Sequence, residues 1–449
     1  MICYLKENVF KKVVINYFLI NILLMSSINK LNDYYPPIII DIGTKTTKSI
    51  HPITNINNLE EEIKSEINPK KSQVNENINN CNKKFDGIKC INSFETYSTI
   101  DTESEIDFKQ LKFPHENIFK DNIEKWSSFW QDIIEKIGNA HFGEDYFKRE
   151  GFSETPVIIM HDSVNSRQKQ EEVEKIYENL FQKFQAQYVM ICSSAMVNLF
   201  SYNISDGIVV DLGESKTSIT SVRDGFTNYQ NSFNYPFLSG RIITTLFHMK
   251  ANNYYKKIMT YQDYINAENK KHESFSNHYN KDLHYFHLNP GVIKCINKHK
   301  EDEENNLLNF IIKNMTKINE NFQEISEKNI IKNKENKSFS SILNNYEKYS
   351  LIQLIKNQIK LEYDINDSKN KINVAFCGGV LNTPNMKIKI KNDLETDKIN
   401  CHFPTIDKVE FNFYKGAYYL SKLAGIENLM LSKHDYYEFG ENRMCFNYI

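Results

Sequence analysis

The sequence predicts an α/β protein built as two similar lobes. Three observations carry that prediction: short apolar runs alternate with amphipathic helical stretches, one strand–turn motif occurs twice, and the chain is long. At 449 residues it exceeds what one hydrophobic core usually serves. Hydrophobic residues make up 40% and aromatic residues 13%, enough to fill a substantial interior.

Charge and cysteine usage narrow the class. The 55 basic and 57 acidic residues leave a net charge of −2, and no Lys/Arg cluster gives the footprint of a nucleic-acid binder. The 8 cysteines (Cys3, Cys81, Cys90, Cys192, Cys295, Cys377, Cys401 and Cys445) are dispersed, without a Cys-x-x-Cys pair. That argues against a zinc ribbon or disulfide framework and for reduced thiols. His272, His278, His284 and His287, with Cys295 nearby, have spacing that suits no compact zinc site. They are read as surface histidines of an insertion.

In chain order, residues 1–35 form an N-terminal extension. Lys6, Lys11 and Lys12 precede an apolar run over residues 13–25, which is either a targeting segment or a stretch preceding a true start at Met25. It is short for a spanning helix, and no membrane partner is expected beyond it. Residues 53–107 and 297–341 are dominated by Asn, Lys, Glu and Ser and are read as exposed or disordered polar insertions. Strands are expected at 157–160, 188–191, 208–211, 219–222 and 373–377. One amphipathic helix carries Val173, Ile176, Tyr177, Leu180, Phe181 and Phe184 on a single face, with Asn165 or Ser166 as its N-cap. A shorter helical stretch covers 195–200.

The repeat bears on chemistry. An apolar run leads into Asp41-Ile42-Gly43-Thr44-Lys45-Thr46-Thr47-Lys48, and another into Asp211-Leu212-Gly213-Glu214-Ser215-Lys216-Thr217. A motif carried twice predicts two copies of one lobe. Two carboxylates at strand ends facing across a cleft could hold a hydrated Mg²⁺, which needs few protein ligands. Each glycine lets the backbone approach closely, and each polar turn offers N–H groups to phosphate oxygens. Lys48 adds a point charge for those phosphates. After the strand at 373–377, Cys377-Gly378-Gly379-Val380 permits close approach to a nucleoside. Singly, each motif also describes an ordinary turn; together they favour a site.

Taken in order, these pieces resemble actin and the actin-related proteins, which share the sugar-kinase/Hsp70 ATPase fold. Further segments carry the resemblance. Leu111-Lys112-Phe113-Pro114 precedes a helix with Trp126 and Trp130, and residues 188–211 follow the family's helix and second phosphate loop. Ser239-Gly240-Arg241 is similar to its Ala-Gly-Arg, and Cys377-Gly378-Gly379 with Pro384 to its Ser-Gly-Gly…Tyr-Pro. Residues 431–436 and the pair Cys445-Phe446 are similar to its C-terminus. The match covers most of 36–54, 108–250 and 346–449. It implies two similar lobes around a nucleotide cleft: 36–203 plus 412–449 for the first, with 53–107 divergent, and 204–411 for the second, with 241–349 divergent.

The resemblance implies ATP or ADP with Mg²⁺ in that cleft. Asp41 and Asp211 would flank the metal, reaching it through water. Gly43, Thr44, Lys45, Lys48, Gly213, Glu214, Ser215, Lys216, Gly378, Gly379 and Val380 would line the nucleotide. Departures weaken hydrolysis. Lys45 stands where actin has a second glycine, and Glu214 where it has an Asp. The family's water-positioning Gln falls at Ser194, or at Cys192 or Ser193 in a shifted register, and its His corresponds to Ser218. No catalytic residue is therefore expected, and turnover should be slow or nil. Thr383 replaces a Tyr beside the base, and Glu410 a Lys.

The sequence thus points to an actin-related protein that binds ATP–Mg²⁺ structurally within a larger assembly, in a chromatin-remodelling or cytoskeletal complex. Its partners would be other protein subunits, actin or other actin-related proteins among them. The compartment would be cytoplasmic, cytoskeletal or nuclear rather than secretory. The alternative is a polymerising actin-like ATPase, although residues 53–107 have lost recognisable filament-contact sequence. A sugar-kinase-like or chaperone ATPase is disfavoured by Ser239-Gly240-Arg241 and Lys433-His434-Asp435-Tyr436.

Overall fold

A computed structural model describes residues 36–43, 46–51, 88–92, 123–161, 167–235, 238–241, 244, 263–264, 266, 351–363, 371–382, 386–394, 399–404, 410–423 and 426–439. Thr44, Lys45, Thr383, the extension 1–35, the Asn165/Ser166 cap, the histidine-rich segment, residues 297–341 and Cys445-Phe446 lie outside them.

The first half builds one sheet. Its strands are β1 (Ile38–Ile42), β2 (Thr46–Ile50), β3 (Ile88–Asn92), β4 (Val157–Met160) and β5 (Tyr188–Cys192), joined from the far end of the chain by β11 (Leu431–Ser432). Helices α1 (Ile123–Phe142), α2 (Glu144–Glu150) and α3 (Arg167–Glu178) lie between β3 and β5 in sequence. The second half builds another sheet from β6 (Gly207–Leu212), β7 (Thr217–Arg223), β8 (Phe226–Tyr235), β9 (Ile372–Cys377) and β10 (Ile399–His402), with α5 (Leu351–Glu362) and α6 (Met386–Leu394). Between the sheets in sequence stands α4 (Ser194–Phe200). Helices α7 (Glu410–Ser421) and α8 (Lys433–Phe439) follow β10. No helix among the described residues is long and apolar enough to cross a membrane.

The two sheets repeat one plan. The first runs β11-β5-β4-β1-β2-β3 and the second β10-β9-β6-β7-β8. In each, three strands are parallel (β5-β4-β1 and β10-β9-β6), and the strand ending in Asp-x-Gly then turns back antiparallel through two more. The duplication visible in eight residues of sequence therefore extends to five strands. Central parallel strands are covered on both faces, so they read as unbroken apolar runs; Val-Ile-Ile-Met in β4 is buried throughout.

One expectation needs correcting. Residues 53–107 were read as a polar insertion, yet β3 lies within them and pairs with β2 from Thr46↔Asn92 to Ile50↔Ile88. Five residues of Ile-Lys-Cys-Ile-Asn are too few for composition to reveal against an Asn/Lys-rich background. The amphipathic helix also ends differently: α3 stops at Glu178 and widens into a single π-turn over Asn179–Lys183. There the buried Asn179 donates to Ser127 Oγ (2.9 Å) and accepts from Gln131 Nε2 (2.6 Å). A side chain held this way gives the local widening an identifiable cause.

Alternation along the strands sorts side chains between cores. From β1 and β4, Ile38, Ile40, Val157 and Ile159 pack with Ile134 of α1, Ile176 of α3 and Phe181 of the π-turn. Ile39, Ile158 and Met160 face the other way, toward Met196, Val197 and Phe200 of α4 and Phe413, Tyr414, Ala417 and Leu420 of α7. In the second sheet, Ile208, Val210 and Leu212 pack with α5 and α6. Val209 of β6 and Ala375 and Cys377 of β9 turn toward Ala195 and Leu199 of α4. Helix α4 thus serves both sheets, one face to each. Helix α7 crosses it so closely that a Cβ on Gly416 would fall 2.0 Å from the Val197 carbonyl oxygen.

His51, just past β2, is buried beside Phe142 (ring centroids 5.4 Å apart) and edge-on to His141 (6.4 Å). Burial holds its pKa below the ordinary 6.5, opposed by a hydrogen bond to the Pro36 backbone. The folded state resists the proton that the unfolded state accepts. Stability is therefore fully present above about pH 6.5 and declines as pH falls toward the depressed folded value. The melting temperature should drop between about pH 7.5 and 5.5, and less steeply in His51→Gln; parallel slopes would remove His51 from the account. Gly416→Ala should cost at least about 1–3 kcal/mol by overpacking, measured by urea unfolding.

Candidate functional site

The paired Asp-x-Gly turns have matching geometry. Asp41 ends the apolar stretch of β1 and Asp211 that of β6. Two residues on, the Gly43 N–H donates to the Thr46 carbonyl (3.1 Å) and the Gly213 N–H to the Lys216 carbonyl (3.0 Å). A Cβ on Gly43 would lie 2.6 Å from the Thr46 oxygen, and on Gly213 2.9 Å from the Lys216 oxygen. Each turn is too tight for a side chain at that step. Across each hairpin, Asp41 stands opposite Lys48 and Asp211 opposite Ser218.

Strand alternation fixes where the carboxylates point. Asp41 shares a face with Ile39, and Asp211 shares one with Val209; both are the faces packed on α4. Both aspartates also stand at the carboxyl ends of parallel strands, in register with Met160 and Cys377 respectively. Cys192, at the corresponding end of β5, leads directly into α4. Its buried thiol is pushed up in pKa by desolvation and, further, by the Asp41 carboxylate. Ligands in open α/β sheets collect beyond carboxyl strand ends.

A third loop closes on Asp211. Gly378 has φ +96°, and a Cβ there would lie 2.4 Å from Asp211 Oδ1 and 2.4 Å from the Leu212 carbonyl oxygen. Beside it, a Cβ on Gly379 would meet nothing within 4 Å. The backbone is pressed against the carboxylate on one side and opens to free space on the other. The second turn is clamped from the Ser239-Gly240-Arg241 segment: the Gly240 N–H donates to the Gly213 carbonyl (3.0 Å) and the Arg241 N–H to the Glu214 carbonyl (2.9 Å). A Cβ on Gly240 would meet Glu214 Oε2 at 2.6 Å and Val380 Cγ2 at 3.1 Å. Asp211, Gly213, Glu214, Gly240, Gly378 and Val380 thus converge, with Ser215 and Lys216 completing the turn.

Around the first turn, the Lys48 ammonium bonds Asp41 Oδ2 at 2.6 Å and lies 5.2 Å from the centroid of the Phe413 ring. Phe413 belongs to α7, far away in sequence, and no local pattern announces its contact with Lys48. At the second turn the Ser218 hydroxyl donates to Asn234 Oδ1 of β8 (2.7 Å). At the start of α4, the Ser193 Oγ accepts from the Ala195 N–H (3.2 Å), which caps the helix, while Cys192 is buried. The carboxamide among these side chains is Asn234, and it accepts the Ser218 hydroxyl proton. His161, one residue past β4, pairs with the buried Glu172 of α3 (3.3 Å), on the α1/α3 side of the sheet and opposite Asp41. Glu410 is the first residue of α7.

The donor set at Asp41 and Asp211 is hard oxygen, which suits Mg²⁺. The Gly378–Gly379 backbone, tight against Asp211 and open beyond it, is the kind of cradle a phosphate or nucleoside fills. These residues fit a nucleotide and its metal.

A protein-family model described as Actin matches residues 32–370 of the chain. The match includes both Asp-x-Gly turns and α4, and stops just before β9.

Gly378→Ala should be severe, because it combines a positive φ with two contacts under 3 Å. We expect a loss of at least about 2 kcal/mol in urea unfolding. Gly379→Ala, with open space around it, should cost about 1 kcal/mol or less; equal losses would contradict the cradle.

Proposed function

The chain belongs to the actin family, and from that premise we propose that it is an actin-related protein that binds ATP with Mg²⁺ structurally, as a subunit of a multi-protein assembly. The observation that carries the reading is the pair of matched turns, with both carboxylates on the faces that sandwich α4. Asp41 and Asp211 would hold the hydrated metal between them, which neutralises phosphate charge when bound. Lys48 would place its ammonium charge beside the phosphate oxygens. Gly213, Glu214, Ser215 and Lys216 would contact phosphates from the second turn, and Gly378, Gly379 and Val380 would lie along the nucleoside. Thr44 and Lys45 are assigned to the first turn by sequence alone.

Little or no hydrolysis is the second part of the proposal. A water attacking phosphate needs a base or a positioned acceptor. Ser218 spends its hydroxyl proton on Asn234, Ser193 caps α4, and Cys192 is buried with a raised pKa. Nucleotide then contributes binding energy to one arrangement of the two halves rather than driving a cycle. Such a subunit suits a chromatin-remodelling or cytoskeletal complex in nucleus or cytoplasm, with protein subunits, actin or actin-related proteins among them, as partners.

Mg–ATP at about 100-fold above its dissociation constant should stabilise the protein by about 2.7 kcal/mol, read as a rise in melting temperature. Phosphate release should stay at background over the same hours. Turnover at actin's rate, or pelleting under actin-assembly conditions, would instead support a polymerising ATPase. The absence of any thermal shift with millimolar Mg–ATP would refute the nucleotide reading.

A further inference from the structure

Away from the Asp-x-Gly turns, a second group of polar side chains joins the two halves. The chain passes between the sheets twice, once from α4 into β6 and once from β10 toward α7. Tyr202, in the turn that follows α4, touches both passages. Its hydroxyl accepts a hydrogen bond from Asn412 Nδ2 of α7. Its ring lies against that of His402, the last residue of β10, with centroids 5.4 Å apart. His402 Nε2 in turn lies 2.9 Å from Asn373 Oδ1 of β9 and 3.1 Å from Asn400 Nδ2 of β10. A chain of contacts, polar at both ends and ring against ring in the middle, therefore runs α7–Tyr202–β10–β9, from a helix packed on the first sheet to the second sheet.

We propose that Tyr202, Asn412 and His402 form a latch that ties the two chain passages together and loosens when His402 takes up a proton. The groups around the imidazole are neutral: the Tyr202 phenol from the α4 turn, and the Asn373 and Asn400 amides from β9 and β10. Beyond them, Asn373 Nδ2 donates to the Asp206 backbone carbonyl (3.4 Å). The Asp206 carboxylate is engaged with the Ser205 hydroxyl (2.6 Å) and the Asp224 N–H (2.9 Å). Cys377 is the titratable neighbour of Tyr202 and is a buried thiol. Among the described residues no ion pair holds His402, and burial lowers its pKa. Among the described residues, a proton there creates a charge with amides and a phenol around it and no carboxylate paired with it. Burial likewise pushes the Tyr202 phenol up, so it remains a neutral acceptor for Asn412 across the physiological range.

The latch has a local signature that overall stability lacks. Hydrogen–deuterium exchange, corrected for the intrinsic pH dependence of amide exchange, should be followed over residues 199–206 and 399–403, with β1 and β4 as internal reference. Tyr202→Phe removes one hydroxyl and keeps the ring. It should raise exchange in both segments at least about threefold at neutral pH while leaving the reference strands unchanged. Acidification from about pH 7.5 to 5.5 should raise exchange in both segments of the natural protein beyond any change in the reference strands, and fail to do so in His402→Gln, which cannot be protonated. An acid response shared equally by the natural protein and His402→Gln would overturn the proposal, as would a silent Tyr202→Phe. If Tyr202→Phe loosens the reference strands as well, the residue is a general packing element and the latch is refuted. The acid comparison uses a folded protein and no nucleotide, so its outcome is independent of the proposed ATP site.

Discussion

The constraint on which the structure depends is that one short helix belongs to two cores. Every residue of α4 from Ala195 to Phe200 is buried, with Met196, Val197 and Phe200 turned to one sheet and Ala195 and Leu199 to the other. A helix of seven residues spans only about 10 Å, so its N-terminal end falls at the carboxyl ends of β5 and β9 together. In the same two sheets, β1 and β6, which carry Asp41 and Asp211, each pack one face against this helix. The crowding around α4 also explains the small residues nearby: α7 can lie across α4 only because Gly416 has no side chain to strike Val197.

The two turns share backbone geometry and differ in what stands opposite the acid. At the first, Lys48 neutralises Asp41 and is itself held against the Phe413 ring. At the second, the matching position is Ser218, whose hydroxyl is directed to Asn234. Backbone hydrogen bonds and the glycine requirement hold the hairpin shape regardless of that partner. Binding chemistry can thus persist at one copy while chemistry that depends on a particular side chain fades at the other. The proposed role, binding without turnover, would draw on the first kind of chemistry and not the second.

How much of this was legible beforehand depended on range. The strands 157–160, 188–191, 208–211, 219–222 and 373–377 were readable because each is a short apolar run bounded by turn residues, and each is found. Both Asp-x-Gly turns were readable because their chemistry is contiguous. The two-sided burial of α4 was not, since a helix covered on both faces loses the periodicity that marks an amphipathic one. Nor was β3, five residues in a polar background. The contacts of Lys48 with Phe413, of Ser218 with Asn234, and of Tyr202 with Asn412 and His402 join residues that only the folded chain brings together. Single-sequence patterns carry no trace of such pairings. His161 illustrates the converse: it directly follows β4 in sequence, yet its side chain pairs with Glu172 of α3.

The two-residue strand β11 closes the first sheet by pairing Leu431 with Val189 and Ser432 with Tyr188, and Lys433 then donates its N–H to the Gln187 carbonyl (2.8 Å). The outer edge of β5 thus waits for a segment far downstream in the chain. During synthesis, an unsatisfied strand edge remains exposed while more than two hundred further residues emerge, and such edges recruit other chains. The first sheet therefore leaves the ribosome with one border still open, and the interval between the making of β5 and of β11 is when this polypeptide most needs protection from its neighbours.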